Sequence, residues 1–212
     1  MPRNVSLTEQ VYMTAKGAAQ AIGEYLSSQA LYSVIPDNVP RPIAHGVLAR
    51  DSSKHFMMSE FVDLIEELPP VAEFASIVAR LHRNSVSPNG KFGFDVPTCQ
   101  SLQLANTWSD TWEEFFTRAF RGTVALEQEI QGHSQDIEDL AEQMCEKVIP
   151  RLLRPMEIDG RKLKPTLLHG DLWHGNVGIN TATDKCVLYD CCAFYGHHEC
   201  IKPHQYPVQL DR

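Results

Sequence analysis

The sequence lacks an excess of basic residues: 19 lysines and arginines stand against 27 aspartates and glutamates, for a formal net charge of −8. Non-specific binding to a nucleic-acid backbone needs clustered basic side chains that displace counterions, so this composition argues against it. The sequence also lacks an uninterrupted apolar run of about 18 residues, the length that a membrane-spanning helix requires. We therefore expect no nucleic-acid partner and no membrane partner.

The sequence also lacks the regular cysteine spacing of a disulfide framework. Two of its cysteines, Cys191 and Cys192, are adjacent and could pair with each other only through a strained ring. The six cysteines are Cys99, Cys145, Cys186, Cys191, Cys192 and Cys200. The first ten residues, MPRNVSLTEQ, contain no apolar segment typical of a secretory signal. These observations predict a protein of a reducing compartment, the cytoplasm.

What the sequence does contain is typical of a soluble globular protein, with 43% hydrophobic and 22% charged residues in 212 positions. A helical apolar pattern runs from about Met13 to Tyr32, and the stretch IPDNVPRPI then forces an extended connection, because proline restricts itself and the residue before it. The segments AHGVLA and HFMMSEFV flank the polar stretch RDSSK. They predict two short antiparallel strands.

The middle of the chain shows three amphipathic helical patterns. Their apolar stripes are Val71, Phe74, Val78 and Leu81; then Trp108, Trp112, Phe115 and Ala119; and then Ile137, Leu140, Met144 and Val148. Ser109 and Asp110 are candidate capping residues for the second helix. The third helix is expected over residues 135–153. We interpret all three stripes as core-facing surfaces and assign them no ligand.

The last third of the chain changes to short strand patterns, PTLLH, VGIN and CVLYD, separated by polar stretches. The motif LLHGDLWHGN, residues 167–176, therefore lies in a loop between strands. Within it Asp171 and Asn176 are five residues apart, and Asp190 follows fourteen residues later, at the end of the next strand. A hairpin can bring these three side chains together.

This set of residues suits phosphoryl transfer in a protein kinase-like fold. Asp171 is expected to orient an acceptor hydroxyl and take its proton, while Asn176 and Asp190 hold Mg²⁺ against ATP phosphates. Mg²⁺ prefers hard oxygen ligands and keeps several waters, so few protein ligands are needed. The glycines of the motif let the backbone bend closely, and His169 is expected to brace the loop through hydrogen bonds.

Other interpretations of the same residues remain open at this point. Asn and Asp at strand ends are common turn formers without any chemical role. A metal-dependent hydrolase is a further alternative, with imidazole and carboxylate ligands. Its candidate ligands are His169, Asp171, His174, His197 and His198. No compact HxHxD pattern accompanies them, and a tryptophan stands between two of them, so unligated histidines in hydrogen-bonded loops are the plainer interpretation.

The sequence resembles the fructosamine/ketosamine-3-kinase family, relatives of aminoglycoside and choline kinases. The resemblance rests on LLHGDLWHGNVGIN followed by VLYDCCAFYGHHE, on GEYLSSQALYSVIPDNVPRPIAHG and FMMSEFVDL, and on NGKFGFDVPTCQSLQLANTWSDTWEEFF. It covers about residues 13–199. It implies an α+β, protein kinase-like (aminoglycoside phosphotransferase-like) fold, with a partial N-lobe in residues 1–62 that ends in the hinge and a helical C-lobe in residues 63–212.

The resemblance also implies an activity. The family phosphorylates the 3-hydroxyl of ketosamines formed by glycation of protein amines, and the unstable product then frees the lysine. ATP and Mg²⁺ are the implied cofactors, and glycated proteins or ketosamine small molecules are the implied partners. Ribulosamines and erythrulosamines are favoured over fructosamines by resemblance to the fungal and plant members. Aminoglycoside and choline kinases share the catalytic set, so a different acceptor hydroxyl remains the alternative within the fold.

Position by position, the resemblance assigns Asp171 as the catalytic base and Asn176 and Asp190 as the Mg²⁺ ligands. Trp173 is expected to shape the sugar side of the cleft. One departure lies beside these positions, because Cys191 stands where the family usually has proline.

The resemblance further assigns Glu60, Phe61 and Val62 to the hinge, whose backbone groups meet adenine. Glu24 matches the helix glutamate that pairs with the ATP-binding lysine. That lysine and a glycine-rich phosphate loop are not found ahead of Glu24, since Lys16 falls in the same predicted helix. After FYGHHE the resemblance implies an acidic residue and then several more helices, whereas this sequence continues with CIKPHQYPVQLDR and stops. We therefore expect a chain clipped at both ends, with apolar helix surface left uncovered, and a catalytically silent kinase-like fragment is the second functional hypothesis.

Overall fold

The structure is a computed structural model that describes residues 7–13, 15–65, 67–98 and 106–200. The strands in this part of the chain are β1 (Leu7–Met13), β2 (Pro42–Leu48), β3 (Asp51–Glu60), β4 (Leu64–Ile65), β5 (Thr166–Leu168), β6 (Val177–Asn180), β7 (Cys186–Leu188) and β8 (Phe194–Gly196). The α-helices are α1 (Ala15–Val34), α2 (Val71–Asn84), α3 (Trp112–Gln131), α4 (Gln135–Gln143) and α5 (Ile149–Leu153). Among the described helices, none has the length and apolar character needed to cross a membrane.

An antiparallel sheet of order β1-β3-β2 forms the N-terminal part of the fold. Strands β2 and β3 are the predicted pair, and in their register Ala44 lies opposite Met58. Strand β1 is not anticipated by the sequence analysis. It pairs with β3 so that Leu7 lies opposite Glu60, and it leads directly into α1. The sequence of β1, LTEQVYM, contains no lysine.

Helix α1 packs against the rest of the molecule through a face of small and polar residues. The buried residues of this face are Ala21, Ser27, Ser28 and Leu31. The larger apolar residues of the predicted helical pattern, Ile22, Tyr25 and Leu26, are only half-buried. Small side chains let a neighbouring segment approach closely, and a Cβ on Gly23 would lie 2.5 Å from the carbonyl oxygen of Pro97. One face of the helix is therefore covered by other chain segments, while Gln29 and Ser33 are exposed.

Helices α2 and α3 bury part of the stripes predicted for them. In α2 Leu81 of the predicted stripe is buried, as is Ile77, which the stripe did not include, but Val71 at the first turn is 70% exposed. Helix α3 buries Trp112 and Phe115. It begins at Trp112, after Trp108, and its capping residue is Thr111 rather than Ser109 or Asp110. The Thr111 hydroxyl accepts a hydrogen bond from the Glu114 backbone N–H at 3.2 Å.

The third predicted stripe faces solvent, so its assignment to the core is wrong. Helix α4 has no buried residue, and Leu140 is 63% exposed. A π-helical segment, Met144–Val148, joins α4 to α5 and changes the period of the pattern. The side chains buried here are Cys145 and Ile149. The uncovered apolar surface that the sequence analysis expects is therefore present on this part of the chain.

The C-terminal strands form two small antiparallel sheets, β4-β6-β7 and β5-β8. Strands β6 and β7 make the predicted hairpin, with Val177 opposite Leu188. The main core cluster joins helices α1 and α2 to these strands; its members include Leu31, Ile35, Ile77, Leu81, Leu167, Val177 and Leu188. The motif of residues 167–176 thus begins inside the core and emerges from it.

Candidate active site

The loop that carries the motif follows β5 and turns at Gly170. Gly170 has φ of +84°, and a Cβ at this position would lie 1.9 Å from the carbonyl oxygen of Cys192. The Cys192 N–H also donates to the carbonyl oxygen of His169 at 2.8 Å. Only glycine combines this backbone conformation with so close an approach. The turn therefore places the loop directly against the segment that follows Asp190.

His169 braces this loop, as the sequence predicts. Its ring is 1% exposed, Nε2 lies 3.0 Å from the carbonyl oxygen of Tyr189, and the Asp171 N–H donates to Nδ1 at 3.3 Å. Burial lowers the pKa of His169 to about 4. The imidazole is therefore neutral at pH 7, with its proton on Nε2, and it ties the loop to the residue before Asp190.

Asn176 is the residue that brings the predicted set together. Its side chain is 3% exposed, and Nδ2 donates to Asp171 Oδ2 at 3.0 Å and to the Asp171 carbonyl oxygen at 2.8 Å. Nδ2 also lies 3.4 Å from the carbonyl oxygen of Asp190. Because the amide nitrogen is used in these contacts, the amide oxygen is oriented away from them. An amide oxygen is a ligand type that Mg²⁺ accepts.

Asp190 lies just beyond β7 with φ of +54°. Its neighbour Tyr189 donates its N–H to the carbonyl oxygen of Asn176 at 3.1 Å, which ties the two segments together. Burial, together with the negative charge of Asp171, raises the pKa of the Asp190 carboxyl. A cation at this position would favour the ionised carboxylate and so oppose both effects on its pKa. The donor set of Asn176 and Asp190 therefore fits a magnesium ion.

Glu24 lies on α1, where the charge of Asp190 acts on it. Burial and the negative charge of Asp190 raise its pKa to about 8. Pairing with a lysine would lower the pKa instead. Lys16 is the second residue of the same helix, and its side chain lies outside the described part of the structure. The predicted role of Glu24 therefore stays a prediction.

Two serines of α1 hold the segment after Asp190, and the sequence analysis missed them. The Ala193 N–H donates to Ser27 Oγ at 2.9 Å, and Ser28 Oγ lies 3.4 Å from Cys191 Sγ. Burial raises the pKa of the Cys191 thiol to about 12, so it remains a thiol. Adjacent serines in a helix interior are unfavourable unless they have partners, and this was the available signal.

The predicted hinge residues lie at the C-terminal end of β3, the central strand of the N-terminal sheet. Glu60 is the last residue of β3, Phe61 is 47% exposed, and Val62 is half-buried. The chain then pairs with the hairpin that carries the metal-ligand candidates. Asp63 accepts a hydrogen bond from the Thr181 N–H at 3.0 Å through its carbonyl oxygen. The hinge and the hairpin are thus directly connected.

Trp173 is 38% exposed beside this loop. A Cβ on Gly175 would lie 2.6 Å from its indole ring, so Gly175 provides the space that the ring occupies. The His174 ring contacts the indole edge-on, with 4.7 Å between ring centroids. An exposed aromatic ring at the rim of the loop is available for contact with a substrate.

The residues proposed for a metal-dependent hydrolase do not converge. Among residues 7–13, 15–65, 67–98 and 106–200, no group of three or more His, Cys, Asp or Glu side chains could hold a metal ion. His197 contacts His198 and Trp112 instead, with ring centroids 4.6 and 6.3 Å apart. The hydrolase alternative therefore has no structural support in the described residues.

Comparison with known sequences identifies relatives of the chain. A family model described as fructosamine kinase matches residues 13–201. The chloroplastic protein-ribulosamine 3-kinase of Arabidopsis thaliana is 30% identical over 184 residues, which cover 86% of this chain and 53% of that protein. A ketosamine-3-kinase of Mus musculus is 35% identical over 111 residues, which cover 51% of this chain and 33% of that protein. The chain spans about half the length of the Arabidopsis relative.

Comparison with solved structures identifies the fold. A candidate fructosamine-3-kinase of Haemophilus somnus 129PT superposes with a TM-score of 0.61 at 18% identity, over 93% of this chain and 62% of that one. A thermostable mutant of an aminoglycoside phosphotransferase superposes with a TM-score of 0.59 at 15% identity, over 93% of this chain and 64% of that one. The α+β, kinase-like fold expected from the sequence is confirmed.

Proposed function

The chain belongs to the fructosamine kinase family, and from this premise we propose that its cleft serves the ATP-dependent phosphorylation of ketosamines. The proposed acceptor is the 3-hydroxyl of a ketosamine that is attached to a protein amine or free in solution. Ribulosamines and erythrulosamines are the proposed main acceptors, and fructosamines are a further class. The unstable product frees the amine, so the proposed role is protein deglycation.

The observation that carries this proposal is the position of the Asn176 amide. It is buried, and its nitrogen contacts the Asp171 carboxylate at 3.0 Å and the Asp190 backbone at 3.4 Å. One amide thereby fixes the distance between a candidate base and a candidate metal ligand. In phosphoryl transfer, positioning and charge neutralisation provide nearly all of the catalysis, so such an arrangement supports this reaction.

In the proposed mechanism Asp171 accepts the proton of the acceptor hydroxyl. The neutral, buried His169 fixes the backbone of Asp171 through the hydrogen bond at 3.3 Å. Asn176 Oδ1 and the Asp190 carboxylate would supply hard oxygen ligands for Mg²⁺, which would neutralise charge on the ATP phosphates. Residues 60–62 are proposed to present backbone groups to adenine.

A kinase-like protein without phosphoryl transfer is the second candidate function. Strand β1 contains no lysine, the residue type that contacts the triphosphate in kinases of this fold. This observation favours weaker positioning of the triphosphate. We further propose a reducing compartment such as the cytoplasm. Cys145, Cys186 and Cys191 are buried free thiols, which supports this proposal.

Phosphorus NMR of the reaction with ribulosyl-lysine and Mg·ATP tests the leading proposal. We expect a new phosphate-ester resonance that requires Mg²⁺. Kanamycin and choline serve as alternative acceptors in parallel reactions, because kinases of the same fold act on such hydroxyls. No ester from the ribulosamine under any condition would contradict the proposal, and ester formation only from kanamycin or choline would replace the acceptor.

A further inference from the structure

A cavity lies on the other side of α1 from the candidate active site. Its volume is about 280 Å³, and it is lined by α1 residues that include Leu26 and Ala30. Successive residues in a helix are rotated by about 100°, so Leu26 and Ala30 point away from the face of Glu24 and Ser28. The cavity is therefore separate from the cleft described above.

Three aromatic rings form the wall opposite α1. The rings of Trp108 and Tyr195 have centroids 6.0 Å apart at 31°, and those of Phe94 and Tyr195 have centroids 6.5 Å apart at 32°. All three residues line the cavity. They come from separate segments, because Tyr195 lies on β8 and the others lie before α3. The cavity thus presents an aromatic surface built by tertiary contacts.

One carboxylate accompanies these rings. Asp95 lines the cavity, and its Oδ1 accepts a hydrogen bond from Trp108 Nε1 at 2.9 Å. None of the nine lining residues is lysine or arginine. An ionised carboxylate has about four acceptor sites. The hydrogen bond from Trp108 therefore orients Asp95 and leaves other acceptor sites of the carboxylate unused. The charge of the cavity is therefore negative.

We propose that this cavity binds a primary ammonium group carried on an aliphatic arm, as in the side chain of lysine. The ammonium group pairs with Asp95 and lies over the aromatic rings, whose faces attract cations. The aliphatic arm packs against Leu26 and Ala30, as long cationic side chains do on apolar surface. The hydrogen bond from Trp108 holds the carboxylate in place before binding, which reduces the ordering that binding requires.

This proposal does not rest on the proposed kinase activity, but it has a structural link to the cleft. Tyr195 lies five residues after Asp190, and the segment between them is held by Ser27 and Ser28 of the same helix that lines the cavity. An occupant would contact both α1 and β8. Binding is nevertheless measured directly, so its failure and the failure of kinase activity are separate results.

The test is an NMR titration with Nα-acetyl-lysine amide that follows the backbone amide of Tyr195. Nα-acetyl-norleucine amide is the matched neutral compound, because it has the same arm without the ammonium group. We expect a millimolar Kd for the lysine compound and about tenfold weaker binding of the norleucine compound. Equal binding of the two compounds would overturn the proposal.

Three variants locate the site. Asp95→Asn and Trp108→Phe are each expected to weaken binding of the lysine compound by about tenfold, whereas Asp136→Asn on the exposed surface of α4 is expected to leave it unchanged. Thermal unfolding of Asp95→Asn, an exposed position, confirms that the fold is kept. Wild-type affinity in Asp95→Asn would overturn the proposal.

The source of the ammonium group is assigned by a third compound, an unstructured peptide with a single lysine and an acetylated N-terminus. Affinity at least about tenfold above that of the lysine amide identifies a protein segment as the occupant. Equal affinity identifies a small free amine. Binding of neither compound would contradict the proposal.

Discussion

Asn176 links the residues of the candidate site through a single amide group. Its nitrogen contacts the carboxylate and the carbonyl oxygen of Asp171, and it lies 3.4 Å from the carbonyl oxygen of Asp190. The negative charges of Asp171 and Asp190 act on each other, which is one cause of the raised pKa of Asp190. At the scale of the residue, Asp171 is the proposed proton acceptor and Asp190 is a proposed metal ligand.

The proposed role of Asp171 predicts the effect of Asp171→Asn. The substitution removes the proposed proton acceptor but keeps an oxygen for the contact with Asn176. We expect kcat for the ketosamine to fall by about 10²- to 10⁴-fold, the usual contribution of a general base. Mg·ATP binding, measured by calorimetry, is expected to persist.

Asp184→Asn is the control, because it makes the same change at an exposed position on the β6–β7 hairpin. It is expected to leave kcat unchanged. Full activity of Asp171→Asn, or the loss of nucleotide binding with activity, would be inconsistent with the role assigned to Asp171.

A second prediction at this scale concerns Gly170→Ala. The new Cβ meets the Cys192 carbonyl oxygen at 1.9 Å in a backbone with φ of +84°. Strain of this kind amounts to about 1–3 kcal/mol, and the clash adds to it, so the free energy of unfolding in urea is expected to fall by more than that range.

Gly160→Ala isolates the contribution of the clash. Gly160 has φ of +79°, but a Cβ there would meet nothing within 4 Å. We expect Gly160→Ala to lower the free energy of unfolding only by the cost of placing alanine at positive φ. Equal losses in the two variants would show that the loop does not approach Cys192 as described.

The sequence predicts the chemistry of the motif better than it predicts the residues that hold the motif in place. Asp171, Asn176 and Asp190 are visible because their residue types and spacing suit one reaction. The supporting contacts of Ser27 and Ser28 join positions more than 160 residues apart in the chain, at separations of 166 and 163. Such partners depend on tertiary packing, which a single sequence does not reveal.

At the scale of the element, the helices are predictable but their buried faces are not. A helical stripe shows that one face is apolar, and packing then decides which face is covered. Helix α4 keeps its stripe exposed, and the π-helical segment shifts the buried positions to Cys145 and Ile149. Strand β1 was missed because its sequence, LTEQVYM, is mostly polar at first and becomes a strand only by pairing with β3.

Helix α1 supplies the test at this scale, through Ser27→Ala. The substitution leaves the buried N–H of Ala193 without the hydrogen bond it makes to Ser27 Oγ at 2.9 Å. An unsatisfied buried donor costs about 1–3 kcal/mol, and the loss is measured by urea unfolding. Ser33→Ala on the same helix is exposed and is expected to change stability by less than about 0.5 kcal/mol. Equal effects would show that α1 does not hold this segment.

At the scale of the whole molecule, the stability of the fold is expected to depend on neutral buried histidines. Burial, followed by the charges of His198 and Lys164, lowers the pKa of His82 to about 4. The unfolded state, with an ordinary pKa near 6.5, then binds a proton that the folded state does not. Stability is therefore fully present above about pH 6.5 and falls as the pH decreases towards 4.

Urea unfolding midpoints of the wild type and of His82→Gln, measured from pH 7 to pH 5, check this prediction. His169 contributes a loss in the same window, because burial also lowers its pKa to about 4. The wild type is expected to lose stability more steeply than the variant. Parallel pH profiles for the two proteins would show that His82 is not held neutral by the fold.

The molecule as a whole contains an N-terminal sheet, a set of helices and two small C-terminal sheets, and the candidate active-site loop follows β5. The sequence resemblance predicted this fold, and superposition on two solved structures confirms it. The roles of Asp171, Asn176, Asp190, Glu24 and residues 60–62 stay predictions. Strand β1 contains no lysine, so nucleotide affinity is the property to measure first.

The most direct measurement is a calorimetric titration of the chain with ATP, with and without Mg²⁺, for the wild type, Asp190→Asn and Asp184→Asn. The account predicts Mg²⁺-dependent binding by the wild type and by Asp184→Asn, and its loss in Asp190→Asn. Asparagine is the chosen substitution at both positions because it tolerates their positive φ. Binding that is independent of Mg²⁺ and unchanged in Asp190→Asn, or no binding by the folded wild type, would contradict the account.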